Sequence, residues 1–277
     1  MEIKEICKNF GIIPSKSKGQ NFLIDKNIVN KIITVSNLSS HDIILEIGPG
    51  LGVLTDKLLK EAGKVIAVEL DYKTFLMLQN RFIKEINLGK LLLINEDILK
   101  VNFSTFNLSD FSFKLIANLP YNITSKIFRL FLEVGPRPSE MIVMVQKEVA
   151  RRIIAKPGDM SLLSLSVQLY SEPELLFDVS SNCFWPVPEV DSSVIRLKLK
   201  QKISPTDYKL MFRLARMGFA AKRKQLHNNL SGGLKIDNKI IKKIISNLGW
   251  NEKIRAQDLS VSDWIALSKA ISNFLKI

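Results

Sequence analysis

Residues 41–200 alternate short apolar runs with segments of helical periodicity, and this alternation restricts the possible folds more than any other feature. The apolar runs are residues 43–47, 65–68, 91–94, 114–117 and 141–145. Strands of a parallel sheet are buried on both faces and have this pattern. Two further runs, 175–179 and 193–199, are predicted to close the sheet as an antiparallel pair. The sequence therefore predicts an α/β fold with a doubly wound, mostly parallel sheet.

The first four predicted strands end at glycine or polar residues. These residues are Gly48, Glu69, Asp97 and Asn118. Open α/β sheets bind ligands in the crevice outside the carboxyl ends of their strands. We therefore expect these four residues to surround one ligand.

A glycine turn, Glu46-Ile-Gly-Pro-Gly-Leu-Gly52, follows the first predicted strand. Gly48 and Gly50 let the backbone turn tightly and approach a ligand closely. Val53 stands where a phosphate-binding turn needs a further glycine, and the acidic Glu46 disfavours a pyrophosphate but tolerates a cationic ligand. The alternative is a turn that binds no ligand.

Two carboxylates at strand ends are candidate adenosine contacts. Glu69 can accept both ribose hydroxyls, which suits either a dinucleotide or S-adenosylmethionine. Asp97 can accept the adenine amino group, whereas the adjacent Glu96 is equally consistent with a solvated side chain. Asp71 is predicted to cap the following helix.

The segment Asn118-Leu-Pro-Tyr121 is the sharpest motif, and it suits methylation of an adenine amino group. That nitrogen is a poor nucleophile because its lone pair is delocalised into the ring. The Asn118 side-chain oxygen and the Leu119 carbonyl can each accept one N–H and direct the lone pair towards a methyl group. Pro120 fixes the backbone, and Tyr121 offers a face on which an extruded base can stack.

Other candidate residues are less specific. Phe184 is predicted to close the second face of the adenine opposite Tyr121, although a core position is the alternative. His41 and His227 are isolated along the sequence and are predicted to be surface residues. No spacing typical of metal ligands or disulfides is present, so no metal is expected.

The positive charge of the chain is concentrated at its ends. Residues 41–200 are neutral, whereas residues 201–277 carry fifteen Lys and Arg against five Asp and Glu. We predict a domain over residues 1–200, with a basic segment at 1–40, and a basic helical domain over 201–277 whose first helix begins near Ser204. The predicted RNA contacts are Lys222, Arg223 and Lys224, at the start of a helix. Solvated helices are the alternative explanation.

No apolar run reaches the ~18–20 residues of a membrane span, and the amino terminus lacks the apolar core of a signal peptide. We expect a cytoplasmic protein that makes no membrane contact. Nothing in the sequence indicates an obligate oligomer, so a monomer is expected.

Taken together, the motifs resemble those of the small-subunit (16S) ribosomal RNA adenine dimethyltransferase family, of the KsgA type. The matching segments, in the order of the family, are GQNFL at 19–23, EIGPGLG at 46–52, VELD at 68–71, NEDIL at 95–99, NLPYNI at 118–123, FWPVPEVDSSV at 184–194 and KRKQLHNNL at 222–230. Each segment alone is weak to moderate, but the ordered set spans nearly the whole chain and is highly specific.

The resemblance implies a Rossmann-like S-adenosylmethionine-dependent methyltransferase domain with a small helical carboxyl-terminal domain. It implies N6,N6-dimethylation of two adjacent adenines in a hairpin loop near the 3′ end of small-subunit rRNA, within a late pre-ribosomal 30S particle. By similarity, Asn21 and Leu23 join Gly48, Gly50, Glu69, Asp97 and Asn118 around S-adenosylmethionine, which becomes S-adenosylhomocysteine. Asn118–Tyr121 and Phe184 would hold the target base.

Three other functions remain open at this stage. The catalytic motifs are shared with enzymes that dimethylate an adenine of large-subunit rRNA and confer antibiotic resistance. A ribosome-assembly or nucleic-acid-binding factor without catalysis is a second alternative. A dinucleotide oxidoreductase is the third, and the glycine spacing argues against it.

Overall fold

The computed structural model describes residues 3–14, 20–201 and 208–275. The strands are β1 (Phe22–Leu23), β2 (Ile43–Ile47), β3 (Lys64–Glu69), β4 (Leu91–Asn95), β5 (Lys114–Asn118), β6 (Glu140–Gln146), β7 (Ser171–Val179), β8 (Phe184–Trp185) and β9 (Ser192–Leu199). The helices are α1 (Ile3–Asn9), α2 (Lys26–Ser36), α3 (Val53–Glu61), α4 (Tyr72–Arg81), α5 (Ile83–Asn87), α6 (Thr124–Arg129), α7 (Lys147–Ile153), α8 (Leu162–Tyr170), α9 (Lys209–Gly218), α10 (Leu226–Leu234), α11 (Asn238–Asn247) and α12 (Val261–Leu275).

The main sheet has the strand order β4-β3-β2-β5-β6-β9-β7. Strands β4, β3, β2, β5 and β6 are mutually parallel, and β9 runs antiparallel to β6. The chain builds β2, β3 and β4 in one direction and then returns to place β5 on the other side of β2. This reversal creates a switch point between β2 and β5, where ligands of such sheets bind. The predicted α/β fold is confirmed.

The central strands are apolar because both faces of the sheet are covered. Ile44 and Leu45 of β2 and Val65 and Ile66 of β3 are all fully buried. Burying each such side chain stabilises the fold by roughly 1.5–3 kcal/mol relative to leaving it exposed. The carboxyl ends of these strands are therefore held by a rigid core.

A short antiparallel pair, β1 with β8, was not predicted from the sequence. Phe22 pairs with Trp185 and Leu23 with Phe184, and the rings of Phe22 and Trp185 stack with centroids 6.3 Å apart. Strands of two residues are too short to show a periodic pattern. The pairing fixes the segment that contains Asn21.

The chain divides into two compact units, Met1–Ala150 with Glu172–Leu199 and Arg151–Ser171 with Lys200–Ile277. The division differs from the boundary expected at residue 201, because residues 151–171 belong to the second unit. In that unit, α8 packs on α12, and the Tyr170 ring stacks on Phe212 with centroids 6.4 Å apart. The sequence pattern of strands and helices continues through this segment and does not reveal where its apolar face packs.

The second unit is helical around a core that includes the fully buried Trp264. The expected helix start at Ser204 lies outside the described residues. Lys222, Arg223 and Lys224 are exposed in the turn before α10, so the helix begins after this cluster and not at it as expected. The expectation of a surface position for His227 was wrong: its side chain is buried, and its Nε2 lies 2.8 Å from Gln225 Oε1. Burial lowers the pKa of His227.

None of the helices in the described ranges combines the length and apolarity that a membrane crossing requires.

Candidate active site

A cavity of about 300 Å³ lies at the carboxyl ends of β2, β3, β4 and β5. Its lining includes all the residues expected around the cofactor, namely Asn21, Leu23, Gly48, Gly50, Glu69, Asp97 and Asn118. The cavity therefore coincides with the switch point of the sheet, and its size is at the lower end of the range for small-molecule sites.

The glycine turn packs closely against its neighbours. Gly50 has φ +57°, and a Cβ at this position would lie 2.9 Å from the Phe22 ring. Gly52, with φ +75°, precedes α3, and a Cβ there would lie 2.7 Å from the Phe82 ring. Only glycine meets both the left-handed conformation and the lack of space.

The Glu69 carboxylate is held by backbone groups. Gly50 N–H donates to Oε2 at 3.2 Å, and Asp71 N–H donates to Oε1 at 2.8 Å. Each carboxylate oxygen retains lone-pair capacity for a further donor. The Asp71 side chain accepts from Thr74 N–H at 3.1 Å, so the predicted capping role of Asp71 is confirmed.

Two buried carboxyl groups that line the cavity have raised pKa values. Burial raises the pKa of Glu46 to about 8 and the pKa of Glu69 to about 7. The Oε2 atom of Glu46 is buried without a hydrogen-bond partner. Such carboxyl groups suit a ligand that brings donors or positive charge into the cavity.

The Asn118 side chain is anchored at one end and unpartnered at the other. Its Nδ2 donates to the backbone oxygen of Asn21 at 3.2 Å. Its Oδ1 is buried and has no hydrogen-bond partner. Buried acceptors in native proteins are seldom unpaired, so this atom marks a place for a donor from a ligand.

The residues after Asn118 are firmly held. Leu119 N–H donates to the Met144 backbone oxygen at 3.1 Å, and the Thr124 hydroxyl donates to the Pro120 oxygen at 3.1 Å. The Tyr121 hydroxyl lies 2.6 Å from Ser192 Oγ, and burial raises the pKa of Tyr121. Pro120 lines the cavity, whereas Leu119 and Tyr121 do not.

Phe184 differs from its expected position. Its side chain is only 1% exposed, belongs to the same apolar cluster as Phe22 and Leu23, and does not line the cavity. The expectation that its ring faces an adenine is not met by this arrangement, because pairing of β8 with β1 turns the ring into the core. The core alternative describes its position in this structure.

The remaining expected positions vary in exposure. Asp97 is half-buried, and its Oδ1 accepts from Leu99 N–H at 3.0 Å, whereas Glu96 is exposed. Across the described residues, no group of three or more His, Cys, Asp or Glu side chains is arranged to hold a metal ion. The sequence motifs did not indicate Lys126, which lines the cavity, or the contact of Ser192 with Tyr121.

Comparison with known proteins places the chain in a family. The sequence profile described as "Ribosomal RNA adenine dimethylase" matches residues 14–273. "Ribosomal RNA small subunit methyltransferase A" of Dehalococcoides mccartyi is 42% identical, covering 95% of this chain and 90% of that protein. The protein of the same name from Bacillus cytotoxicus is 37% identical, covering 97% and 94%.

Solved structures agree with this result. A dimethyladenosine transferase from Plasmodium falciparum has a TM-score of 0.77 and 29% identity, covering 92% of this chain and 98% of that one. The 23S rRNA methyltransferase ErmE has a TM-score of 0.71 at 23% identity, covering 91% and 100%, and supports the fold alone. The expected resemblance and the Rossmann-like methyltransferase fold are therefore confirmed. This chain belongs to the ribosomal RNA adenine dimethylase family.

Proposed function

We propose that this protein transfers methyl groups from S-adenosylmethionine to the N6 atoms of two adjacent adenines near the 3′ end of small-subunit rRNA. Each adenine is dimethylated, and the substrate is a pre-ribosomal 30S particle on which the protein acts as a monomer. The observation that carries the proposal is Asn118 Oδ1, a buried and unpartnered acceptor in the cavity at the sheet switch point. Its place in the family motif and the names of the relatives support the same reaction.

The cavity fits S-adenosylmethionine. Glu69 would accept the ribose hydroxyls and Asp97 the adenine amino group. Gly48 and Gly50 would let the cofactor approach the backbone closely. The Oε2 atom of Glu46, which has no hydrogen-bond partner, suits the positive charge of this ligand. When bound, S-adenosylmethionine supplies an electrophilic methyl group.

Residues of the chain itself make the adenine amino group reactive. Asn118 Oδ1 and the Leu119 carbonyl accept the two N–H groups, which directs the nitrogen lone pair away from the ring. Hydrogen bonds of Leu119 and Pro120 to their neighbours fix this geometry before the base arrives. After transfer, the proton leaves to water, so no general base is required.

Tyr121 would stack on the extruded base. Its hydroxyl is tied to Ser192, which restricts rotation of the ring, and its raised pKa keeps the phenol neutral. Phe184 would act indirectly in this arrangement: its pairing with Leu23 holds the Asn21–Leu23 side of the cavity.

The pKa values of Glu46 and Glu69 predict that affinity for S-adenosylmethionine rises with pH. In the free protein these carboxyls are partly protonated near neutral pH, and a cationic ligand binds better to the ionised forms. We expect the dissociation constant to fall between about pH 6 and about pH 9, with proton release on binding. Calorimetric titration in buffers of different ionisation enthalpy measures the dissociation constant and the number of protons released. Glu46→Gln should flatten the profile, and an unchanged profile in that variant would contradict this assignment.

The same shifts predict the pH dependence of stability. A carboxyl whose pKa is raised on folding stabilises the protein below its unfolded-state pKa, and this contribution is lost as pH rises through the folded-state pKa. The free protein should therefore lose stability progressively as pH rises from about 4.5, the ordinary pKa of these carboxyls, and the loss should be complete above about 8. At the upper end of this range, Glu46→Gln should have a higher Tm than the original protein, as measured by calorimetry. A lower Tm would contradict the prediction that Glu46 is a buried charge that destabilises the free protein.

Lys222, Arg223 and Lys224 are proposed to bind RNA phosphates. Replacing all three with Gln should weaken binding to unmethylated small-subunit particles and reduce the slope of log affinity against log salt by about three. Filter binding over a salt series measures this slope. Affinity for S-adenosylmethionine should be unchanged, and its collapse would mean that the cluster supports the fold instead.

Mass spectrometry of nuclease fragments tests the position of modification. Unmethylated small-subunit particles incubated with the protein and S-adenosylmethionine should yield one fragment near the 3′ end with two adjacent dimethyladenosines. Modification at any other adenine would overturn the proposed target.

A further inference from the structure

Charge is distributed unevenly along the wall of the cavity. The carboxylates that line it are Glu46, Glu69, Asp71, Glu96 and Asp97. All belong to the ends of β2, β3 and β4 or to the residues that follow them. Among the described lining residues, Lys126 is the one cation, and it belongs to the segment that follows β5. The cavity is therefore acidic on one side of the switch point and basic on the other.

Lys126 is free to meet a ligand. It is exposed on α6 and has no ion pair within the described part of the chain. Arg129, on the same helix, is also exposed, but it does not line the cavity, and its Nε lies 3.7 Å from Glu133 Oε2. The Thr124 hydroxyl donates to the Pro120 oxygen, so the helix backbone that carries Lys126 is anchored to the segment that follows Asn118.

We propose that Lys126 binds a backbone phosphate of the nucleotide whose base enters the cavity, and so positions that base at Asn118. The inference rests on the proposed function and deepens it. A polyanion is repelled by the carboxylates of β2, β3 and β4 and has a cation available on the β5 side. A base and its phosphate lie close together within one nucleotide, and Asn118 and Lys126 both line this cavity. Lys126 is therefore a positioning residue and has no part in proton transfer.

Steady-state kinetics with unmethylated small-subunit particles tests this inference. Lys126→Ala should lower kcat/KM for the particle about tenfold, mainly through KM, because a charge-assisted contact is lost. Lys126→Glu should lower it about a hundredfold, and Lys126→Arg should restore it to within about threefold of the original protein. The slope of log kcat/KM against log salt should fall by about one in Lys126→Ala.

A matched control separates this contact from general electrostatic attraction. Lys84 on α5 is also exposed but does not line the cavity. Lys84→Ala removes the same charge and should leave kcat/KM within about twofold. The dissociation constant for S-adenosylmethionine should be unchanged in every Lys126 variant.

Each outcome has a distinct meaning. If the original protein methylates particles and Lys126→Glu does so equally well, the role of Lys126 is refuted and the proposed function stands. If Lys126→Ala weakens binding of S-adenosylmethionine and leaves kcat/KM for the particle at saturating cofactor unchanged, Lys126 belongs to the cofactor site. If the original protein transfers no methyl group to particles, the proposed function itself fails.

Discussion

Asn118→Ala should reduce the rate of methyl transfer to small-subunit particles by roughly a hundredfold to a thousandfold, while particle binding is retained. The buried Oδ1 of Asn118 has no partner within the protein, so its hydrogen-bonding capacity is available to the substrate amino group. In the proposed mechanism, alanine removes the acceptor for one N–H of the reacting nitrogen, so the effect should appear in kcat. Single-turnover transfer of a labelled methyl group measures it without interference from product release.

Two further variants sharpen the interpretation of Asn118. Asn118→Asp keeps an acceptor but loses the donor to Asn21, so it should fall between alanine and the original protein. Asn30→Ala is the control, because Asn30 is an exposed residue of α2 and should leave the rate unchanged. Undiminished methylation by Asn118→Ala would remove Asn118 from the mechanism.

Glu69→Ala should weaken S-adenosylmethionine binding by at least about a hundredfold, because hydrogen bonds to a charged group contribute about 1.5–3 kcal/mol each. The carboxylate is buried, and backbone N–H groups of Gly50 and Asp71 hold it in place. Alanine also leaves these N–H groups without their acceptor, which should loosen the glycine turn. Equilibrium dialysis with labelled cofactor measures the loss, and methyl transfer should recover partly at high cofactor concentration.

The control for Glu69 is Glu61→Ala, which removes an exposed carboxylate at the end of α3. It should leave cofactor affinity unchanged. If Glu69→Ala binds S-adenosylmethionine as tightly as the original protein does, Glu69 does not bind the ribose. An equal loss in both variants would mean that net charge, rather than hydrogen bonding by Glu69, controls binding.

The sheet and the cavity residues at its carboxyl edge were predictable because their signals are local. Apolar runs mark strands that are buried on both faces, and the polar residue after each run lies at the carboxyl edge. Gly48, Glu69, Asp97 and Asn118 therefore met in one cavity as expected. Asn21 and Leu23 were expected there only from the family resemblance, since their position depends on the short pairing of β1 with β8.

Features that depend on tertiary packing were not predictable. The ring of Phe184 turns into the core, and His227 is buried, as are Leu226 and Leu230 on the same helix, α10. The residues next to Phe184 and His227 in the sequence do not show which way either side chain faces. Residues 151–171 join the helical unit through contacts with distant segments. Lys126 occupies a helical pattern with no motif of its own, and only the cavity reveals its position beside the site.

Transfer of labelled methyl groups from S-adenosylmethionine tests the central claim most directly, with unmethylated small-subunit particles and large-subunit RNA as parallel substrates. We expect dimethyladenosine in small-subunit particles alone, at close to four methyl groups per particle. Label in large-subunit RNA would instead identify an enzyme of the antibiotic-resistance type. No label in either substrate would contradict the account and leave a binding factor on a methyltransferase fold.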